Sequence, residues 1–260
     1  MTNRHEVLTQ LLQRVQLHHT AAEVEDLAVR AAKEGLSHLA FLQAFVEQEA
    51  SYREQRRFER LLRESRLPRE KTLAQLDLNW FGPVLAQQIE RLQRGAFVAE
   101  AANIIAVGKP GTGKSHLAAA LGHQLIRQGH TVLWTSTVAL VQQLLAAKRD
   151  LRLARELARL DRFACLLLDD IGYVQHNRDE MEVLFTLLAE RYERRSVVLT
   201  TNLVFSEWDR IFKDPMTTLA AIDRVIHHSV ILDMMGLESY RARAASAQKT
   251  TAAPPPPAAS

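Results

Sequence analysis

Apolar positions along this chain follow two rhythms. In residues 1–70 they recur at helical spacing: Val7, Leu8, Leu11, Leu12 and Val15, then Leu27, Ala31 and Leu36, then Leu39, Leu42, Phe45 and Val46. Good helix formers fill the gaps and β-branched runs are scarce, so the region predicts a small all-helical domain. Gly35-Leu36-Ser37 separates two of its helices, with Ser37 placed to cap the second. Further on, short apolar runs take over. Residues 103–107, 131–135, 163–168, 196–201 and 229–232 have the length and composition of strands buried on both faces. Amphipathic stretches at 84–92, 137–147, 179–192, 206–212 and 217–228, and one starting at His116, stand between or beside them. The alternation predicts an α/β domain with a parallel five-stranded sheet flanked by helices. The expected division is a helical domain at 1–70, the α/β domain at 71–243, and a disordered tail at 244–260 that carries Pro254 to Pro257.

Composition adds limits. The chain has 260 residues, of which 47% are apolar and 24% charged, as in an ordinary soluble globular protein. A single cysteine, Cys165, sits inside an apolar run, which excludes an internal disulfide and fits a reducing compartment. No signal-like apolar core opens the chain, and no run reaches the ~18 apolar residues of a membrane span. A cytoplasmic location without membrane association is expected.

The net charge is only +3, so placement matters more than total. Between residues 53 and 71, Arg53, Arg56, Arg57, Arg60, Arg63, Arg66, Arg69 and Lys71 face only Glu54, Glu59, Glu64 and Glu70. Arg53, Arg56, Arg60 and Arg63 would share one face of a helix that Pro68 ends. Lys148, Arg149, Arg152, Arg155, Arg159 and Arg162 form a second basic stretch, read as another helix, against Asp150, Glu156 and Asp161. Each stretch is either a solvated face laced with ion pairs or a surface for nucleic-acid phosphates.

Gly108-Lys109-Pro110-Gly111-Thr112-Gly113-Lys114-Ser115 fits G-x-x-x-x-G-K-[ST], the P-loop pattern. A chain of this length matches it by chance about once in a hundred, so the context decides. A strand-like run precedes the motif, and a helix start at His116 follows it. That is the geometry in which loop N–H groups and a helix N-terminus hold phosphate. Lys114 would reach the β- and γ-phosphates of a nucleoside triphosphate, and the Ser115 hydroxyl would bind Mg²⁺.

An apolar strand ending in Asp169-Asp170 places Asp169 beside that ion, and Asp170 as base or orienter of the attacking water. Asn202 closes the next strand and would hold water or touch the γ-phosphate, or else merely cap the strand end. Arg224 is either a surface arginine or a finger supplied to a neighbouring subunit's nucleotide. His227 and His228 lack partners at metal-ligand spacing. The set points to hydrolysis, whereas a small-molecule kinase would need an acceptor pocket that no motif announces.

In this order the residues resemble the IstB family of AAA+ ATPases, a sister group of the DnaC-type helicase loaders. The likeness spans roughly 47–243 and is carried by the P-loop block, Leu168-Asp169-Asp170-Ile171-Gly172-Tyr173, Arg191-Tyr192-Glu193-Arg194-Arg195, Thr201-Asn202, Glu207-Trp208, Asp223-Arg224 and Ser239-Tyr240-Arg241. The resemblance implies the helper ATPase of an insertion sequence. Such a protein assembles with ATP on duplex DNA as a homo-oligomer and recruits or activates a partner transposase. It also implies that Asn202 is the sensor-1 residue, that Arg224 is a finger acting across subunits, and that 148–162 faces DNA. A helicase loader of the DnaC type is the alternative. Many AAA+ members carry Asp-Glu where this chain has Asp169-Asp170, which implies slow or partner-dependent hydrolysis.

Overall fold

A computed structural model describes residues 4–172, 178–210 and 225–240. The chain divides into two compact units between Arg60 and Leu61.

The first unit is helical. α1 (Arg4–Arg14) and α2 (His18–Glu34) lead to the start of α3 (His38–Ser65). Leu12, Ala21 and Val24 form its apolar centre, with Leu17 and Phe45 packed against them. α2 stops at Gly35, whose φ of 64° is left-handed, and the Ser37 hydroxyl accepts from the Ala40 N–H at 3.2 Å to open α3. A buried carboxylate ties the helices together. Glu49 accepts from the Thr20 hydroxyl at 2.7 Å, the Thr20 N–H at 3.1 Å and the Arg53 Nε at 2.8 Å. Burial alone would raise the Glu49 carboxyl, but these three donors outweigh it and hold it below the usual range.

Two expectations about helices need correction. Residues 53–71 are not a separate helix ended by Pro68: Arg53 lies in the middle of the unbroken α3, which stops at Ser65. Arg66 then takes a left-handed φ of 58°, and the Ser65 hydroxyl accepts from the Leu67 N–H, so the turn is made before the proline. Residues 148–162 are not one helix either. α7 (Thr137–Arg149) ends with Lys148 and Arg149, Leu151 turns at φ 56°, and α8 (Leu153–Asp161) starts afresh. Arg152 therefore precedes α8 rather than sharing a helical face with Arg155 and Arg159.

In the second unit, Leu61, Leu67 and Phe81 are buried. Residues 68–72 run beside α6 (Lys114–Arg127): His123 Nε2 lies 3.0 Å from the Pro68 carbonyl, and His116 Nε2 lies 3.0 Å from that of Thr72. Two short 3₁₀ turns, Leu73–Gln75 and Leu78–Phe81, lead into α4 (Gly82–Leu92) and α5 (Ala96–Ala99). The sheet has five parallel strands in the order β2-β3-β4-β1-β5. They are β1 (Asn103–Gly108), β2 (Val132–Ser136), β3 (Cys165–Asp169), β4 (Ser196–Thr201) and β5 (Ser229–Met234).

Alternate residues feed the two faces. Ile105, Val107, Leu166, Leu168, Val197 and Leu199 pack with Leu140 and Leu144 of α7 and Leu184 and Leu187 of α9 (Arg178–Arg191). On the other face, Leu167 meets the glycine face of α6 at Gly122. This is the predicted α/β sandwich, with the motif strand β1 between β4 and β5.

Candidate active site

β1 delivers the chain into the P-loop at Gly108, and α6 begins at Lys114. Gly111 and Gly113 take φ of 86° and 96°, a region that side-chain-bearing residues enter at a cost. Gly108 is required by space instead. A Cβ there would lie 2.8 Å from the Met234 Cβ and 2.9 Å from the Thr112 hydroxyl. Buried Thr112 braces the loop by donating its hydroxyl to the Lys109 carbonyl at 2.9 Å, while Lys109 and Pro110 are exposed. Lys114 Nζ donates to the carbonyls of Gly108 at 2.6 Å and Lys109 at 2.9 Å, which holds the ammonium over the loop. The first N–H groups of α6 lack helical partners, so cation, loop and helix end all favour an anion at this place. Ser115 and His116 are half-buried on the first turn.

Sheet register determines what stands beside the loop. Leu168 is level with Leu199, and Val107 with Thr201. Asp169 and Asp170 at the exit of β3, Asn202 at the exit of β4 and the P-loop at the exit of β1 therefore emerge along one edge. Thr200 donates its hydroxyl to Asp169 Oδ1 at 2.7 Å. Asp170 is left-handed at φ 61°, and its N–H donates to the Thr200 hydroxyl at 2.8 Å. Burial pushes the Asp170 carboxyl above the usual aspartate range; the Asp169 charge adds to that shift, and Lys114 opposes it. Asn202 Oδ1 is buried and accepts no hydrogen bond among the described residues. The amide sits so close to Gly172 that a Cβ there would lie 2.1 Å from this oxygen. Arg224 lies outside the described residues.

Sequence reasoning missed the walls of the cleft. Gln75, Leu76, Asp77, Trp80 and Tyr240 line it together with Gly111 to His116. Trp80 and Tyr240 meet edge to face with centroids 5.5 Å apart, and the Tyr240 N–H donates to the Gly111 carbonyl at 3.0 Å. From sequence, Trp80 and Phe81 read as packing residues; Phe81 is buried and, like Trp80, also lines the cleft. An aromatic pair before α4 and just past β5 was the only available signal, and the pairing itself is tertiary.

The basic residues differ in how far they are already engaged. Arg53 is tied to Glu49 and to the Gln16 carbonyl, and Arg56 lies 3.9 Å from Glu59. Lys148 pairs with Glu182 at 2.8 Å and Arg159 with Glu156 at 2.7 Å, while Arg152 bonds Asp150. Arg57 is exposed and has a partner. Arg60, Arg63, Arg149 and Arg155 are exposed and make no ion pair among the described residues.

The site suits ATP with a hard divalent cation. Gly108 and Gly111 leave no room for a side chain, the Asn202 oxygen awaits a donor, and the Ser115 hydroxyl and Asp169 carboxylate are oxygen ligands of the kind Mg²⁺ takes. When bound, the cation would supply charge neutralisation at the phosphates.

Sheet order, P-loop and strand-end acids define a P-loop nucleotide-binding domain of the AAA+ type, preceded by a helical domain. The chain belongs to the family of IstB-like ATP-binding proteins, whose model matches residues 10–248. It is 46% identical over 223 residues to an insertion-sequence ATP-binding protein of Sinorhizobium fredii, covering 85% of this chain and 74% of that protein. It is 41% identical to the ATP-binding protein of insertion sequence IS21 from Pseudomonas aeruginosa, covering 90% and 88%. Among solved structures, AMPPCP-bound DnaA from Aquifex aeolicus matches with a TM-score of 0.56 at 16% identity, over 72% of this chain and 57% of that one. That likeness concerns the fold alone. Among the described residues no helix is long and apolar enough to cross a membrane.

Proposed function

We propose that the protein is a cytoplasmic, Mg²⁺-dependent ATPase that assists transposition. It assembles with ATP on duplex DNA as a homo-oligomer and recruits or activates a partner transposase. The observation that carries the reading is the alignment of β1, β3 and β4 exits, which sets Lys114, Asp169, Asp170 and Asn202 along one edge. In this reading Gly108 to His116 hold the triphosphate, and Lys114 neutralises its terminal phosphates. Ser115 and Asp169 hold the cation, the latter through water. Asp170 takes the proton of the attacking water, and Asn202 orients that water. Support for the transposition role comes from family membership and from relatives named for insertion sequences. Arg224 is the proposed finger that completes a neighbour's site, and so links nucleotide to assembly. For DNA we propose Arg60 and Arg63 on α3, and separately Arg149 and Arg155 near the α7–α8 turn. Arg53, Arg56, Arg57, Lys148, Arg152 and Arg159 would have to release the partners described above before joining that surface.

The test compares wild type, Asp170→Asn and Arg224→Ala for ATP turnover and for DNA-dependent assembly in electron micrographs, with ATP and with ADP. The expected result is assembly on duplex with ATP only. Asp170→Asn should still assemble but not turn over, and Arg224→Ala should be defective in both. Failure of wild type to bind duplex, alongside tight binding to a replicative helicase, would transfer the protein to the loader class.

A further inference from the structure

We propose that Thr200 is a positioning residue of the hydrolytic site, acting through Asp169 and Asp170; the proposal rests on the hydrolysis reading above. Thr200 is 1% exposed. The registered β3–β4 ladder ends at Leu168 and Leu199, yet the chain leaving β3 is not released there. From the β4 side, Thr200 holds three successive residues, while β2 holds Asp169 from the other through Ser136 and the Thr137 hydroxyl. The Thr200 hydroxyl donates to Asp169 Oδ1 at 2.7 Å and accepts from the Asp170 N–H at 2.8 Å; its carbonyl accepts from the Ile171 N–H at 3.0 Å. A hydroxyl has one proton to give and lone pairs to receive, and here both capacities are used on adjacent residues.

The consequences differ for the two acids. Asp169 Oδ1 is held by the threonine, while Oδ2 has no hydrogen-bond partner among the described residues, so one oxygen is presented to the cation in a defined orientation. Asp170 sits at φ 61°, a conformation that costs a non-glycine residue about 1–2 kcal/mol and persists only where neighbours over-determine it. The Thr200 hydroxyl supplies that determination through the Asp170 N–H. Two residues further along β4's exit, Asn202 packs on Gly172, just past the same turn. Cation ligand, water base and water-orienting amide are thus referred to a single strand end. Valine fills the same volume without donating or accepting, whereas serine keeps both functions.

The experiment uses the full chain with Thr200→Val and Thr200→Ser. It reads ATP turnover, binding of a fluorescent ATP analogue in EDTA and across a Mg²⁺ titration, and thermal melting. Thr200→Val should bind the analogue in EDTA as wild type does, show little tightening with Mg²⁺, and lose about tenfold or more in kcat. Thr200→Ser should restore both the Mg²⁺ response and the turnover. The proposal is overturned if Thr200→Val keeps the wild-type Mg²⁺ response, or if serine fails to rescue it. It is equally overturned if affinity in EDTA and melting temperature fall in step with turnover. A wild-type chain without ATP turnover would defeat the hydrolysis reading, and the Mg²⁺ titration of analogue binding would still judge Thr200.

Discussion

Trp80 and Tyr240 stand edge to face with ring centroids 5.5 Å apart, joining the 3₁₀ turn before α4 to the segment that follows β5. The pair forms one wall of the cleft at the P-loop, and Tyr240 reaches the loop through its main chain rather than its hydroxyl. An aromatic pair of this geometry contributes about 0.5–1.5 kcal/mol beyond its burial. Trp80→Ala should therefore weaken ATP binding by about threefold to tenfold, read by titration of a fluorescent analogue, whereas Tyr240→Phe should match wild type. Unchanged affinity in Trp80→Ala would remove this wall from the nucleotide site.

Gly111 is subject to two constraints at once. It is left-handed at φ 86°, and a Cβ would come within 2.2 Å of the Ser239 hydroxyl. Gly111→Ala should shift the loop and reduce nucleotide affinity by at least about tenfold, since left-handed backbone alone costs about 1–2 kcal/mol. Gly236→Ala, where nothing lies within 4 Å of the added methyl, is the matched control and should bind normally.

Glu49 makes the helical unit's stability depend on pH. Its folded-state carboxyl is held below the ordinary range, so its contribution is fully present above the unfolded value and is lost as pH falls through the depressed one. Glu49→Gln should cost about 1–3 kcal/mol at neutral pH, because the amide keeps one acceptor oxygen and so loses either the Thr20 or the Arg53 contact. The difference from wild type should shrink as the solution is acidified. Hydrogen exchange of α1 and α2 amides in the full chain measures it.

Arg191 is 2% exposed and donates to the carbonyls of Leu160, Phe163, Ala164 and Ser196, fastening the end of α8 to the starts of β3 and β4. Burial lowers its guanidinium to about 10, still charged at neutral pH. Arg191→Met should lower stability by at least about 3 kcal/mol, because several buried carbonyls lose their donor. Arg191→Lys should rescue little, since an ammonium cannot reproduce the planar fork. Urea midpoints of the three proteins test both statements.

The DNA proposal separates two arginines on the same helix. Arg155 is exposed and makes no ion pair among the described residues, whereas Arg159 is engaged by Glu156 at 2.7 Å. Arg155→Ala should weaken duplex binding uniformly across sequences and reduce the salt slope by about 1, and Arg159→Ala should change it less. Equal effects would show that the Glu156 pairing does not restrain Arg159 on DNA.

Local chemistry was legible before any tertiary information. The glycine spacing of Gly108 to Gly113, the lysine at 114 and the apolar run into Asp169-Asp170 are short-range patterns, and short-range patterns report strand, loop and helix directly. All five strands were legible for the same reason. Helix ends were less so: α3 runs unbroken to Ser65, and the basic stretch breaks at Leu151, because left-handed residues other than glycine leave no mark in composition. Nor could sequence separate Arg53, drawn to a buried carboxylate, from Arg60, which makes no ion pair among the described residues. Sequence by itself therefore determined the phosphate loop, the strands and the strand-end acids. The tertiary structure decided that β4 lies between β1 and β3, that Thr200 holds both aspartates, and that Trp80 meets Tyr240. Those partners are distant in the chain, and only the packing of the whole sheet and its helices selects them.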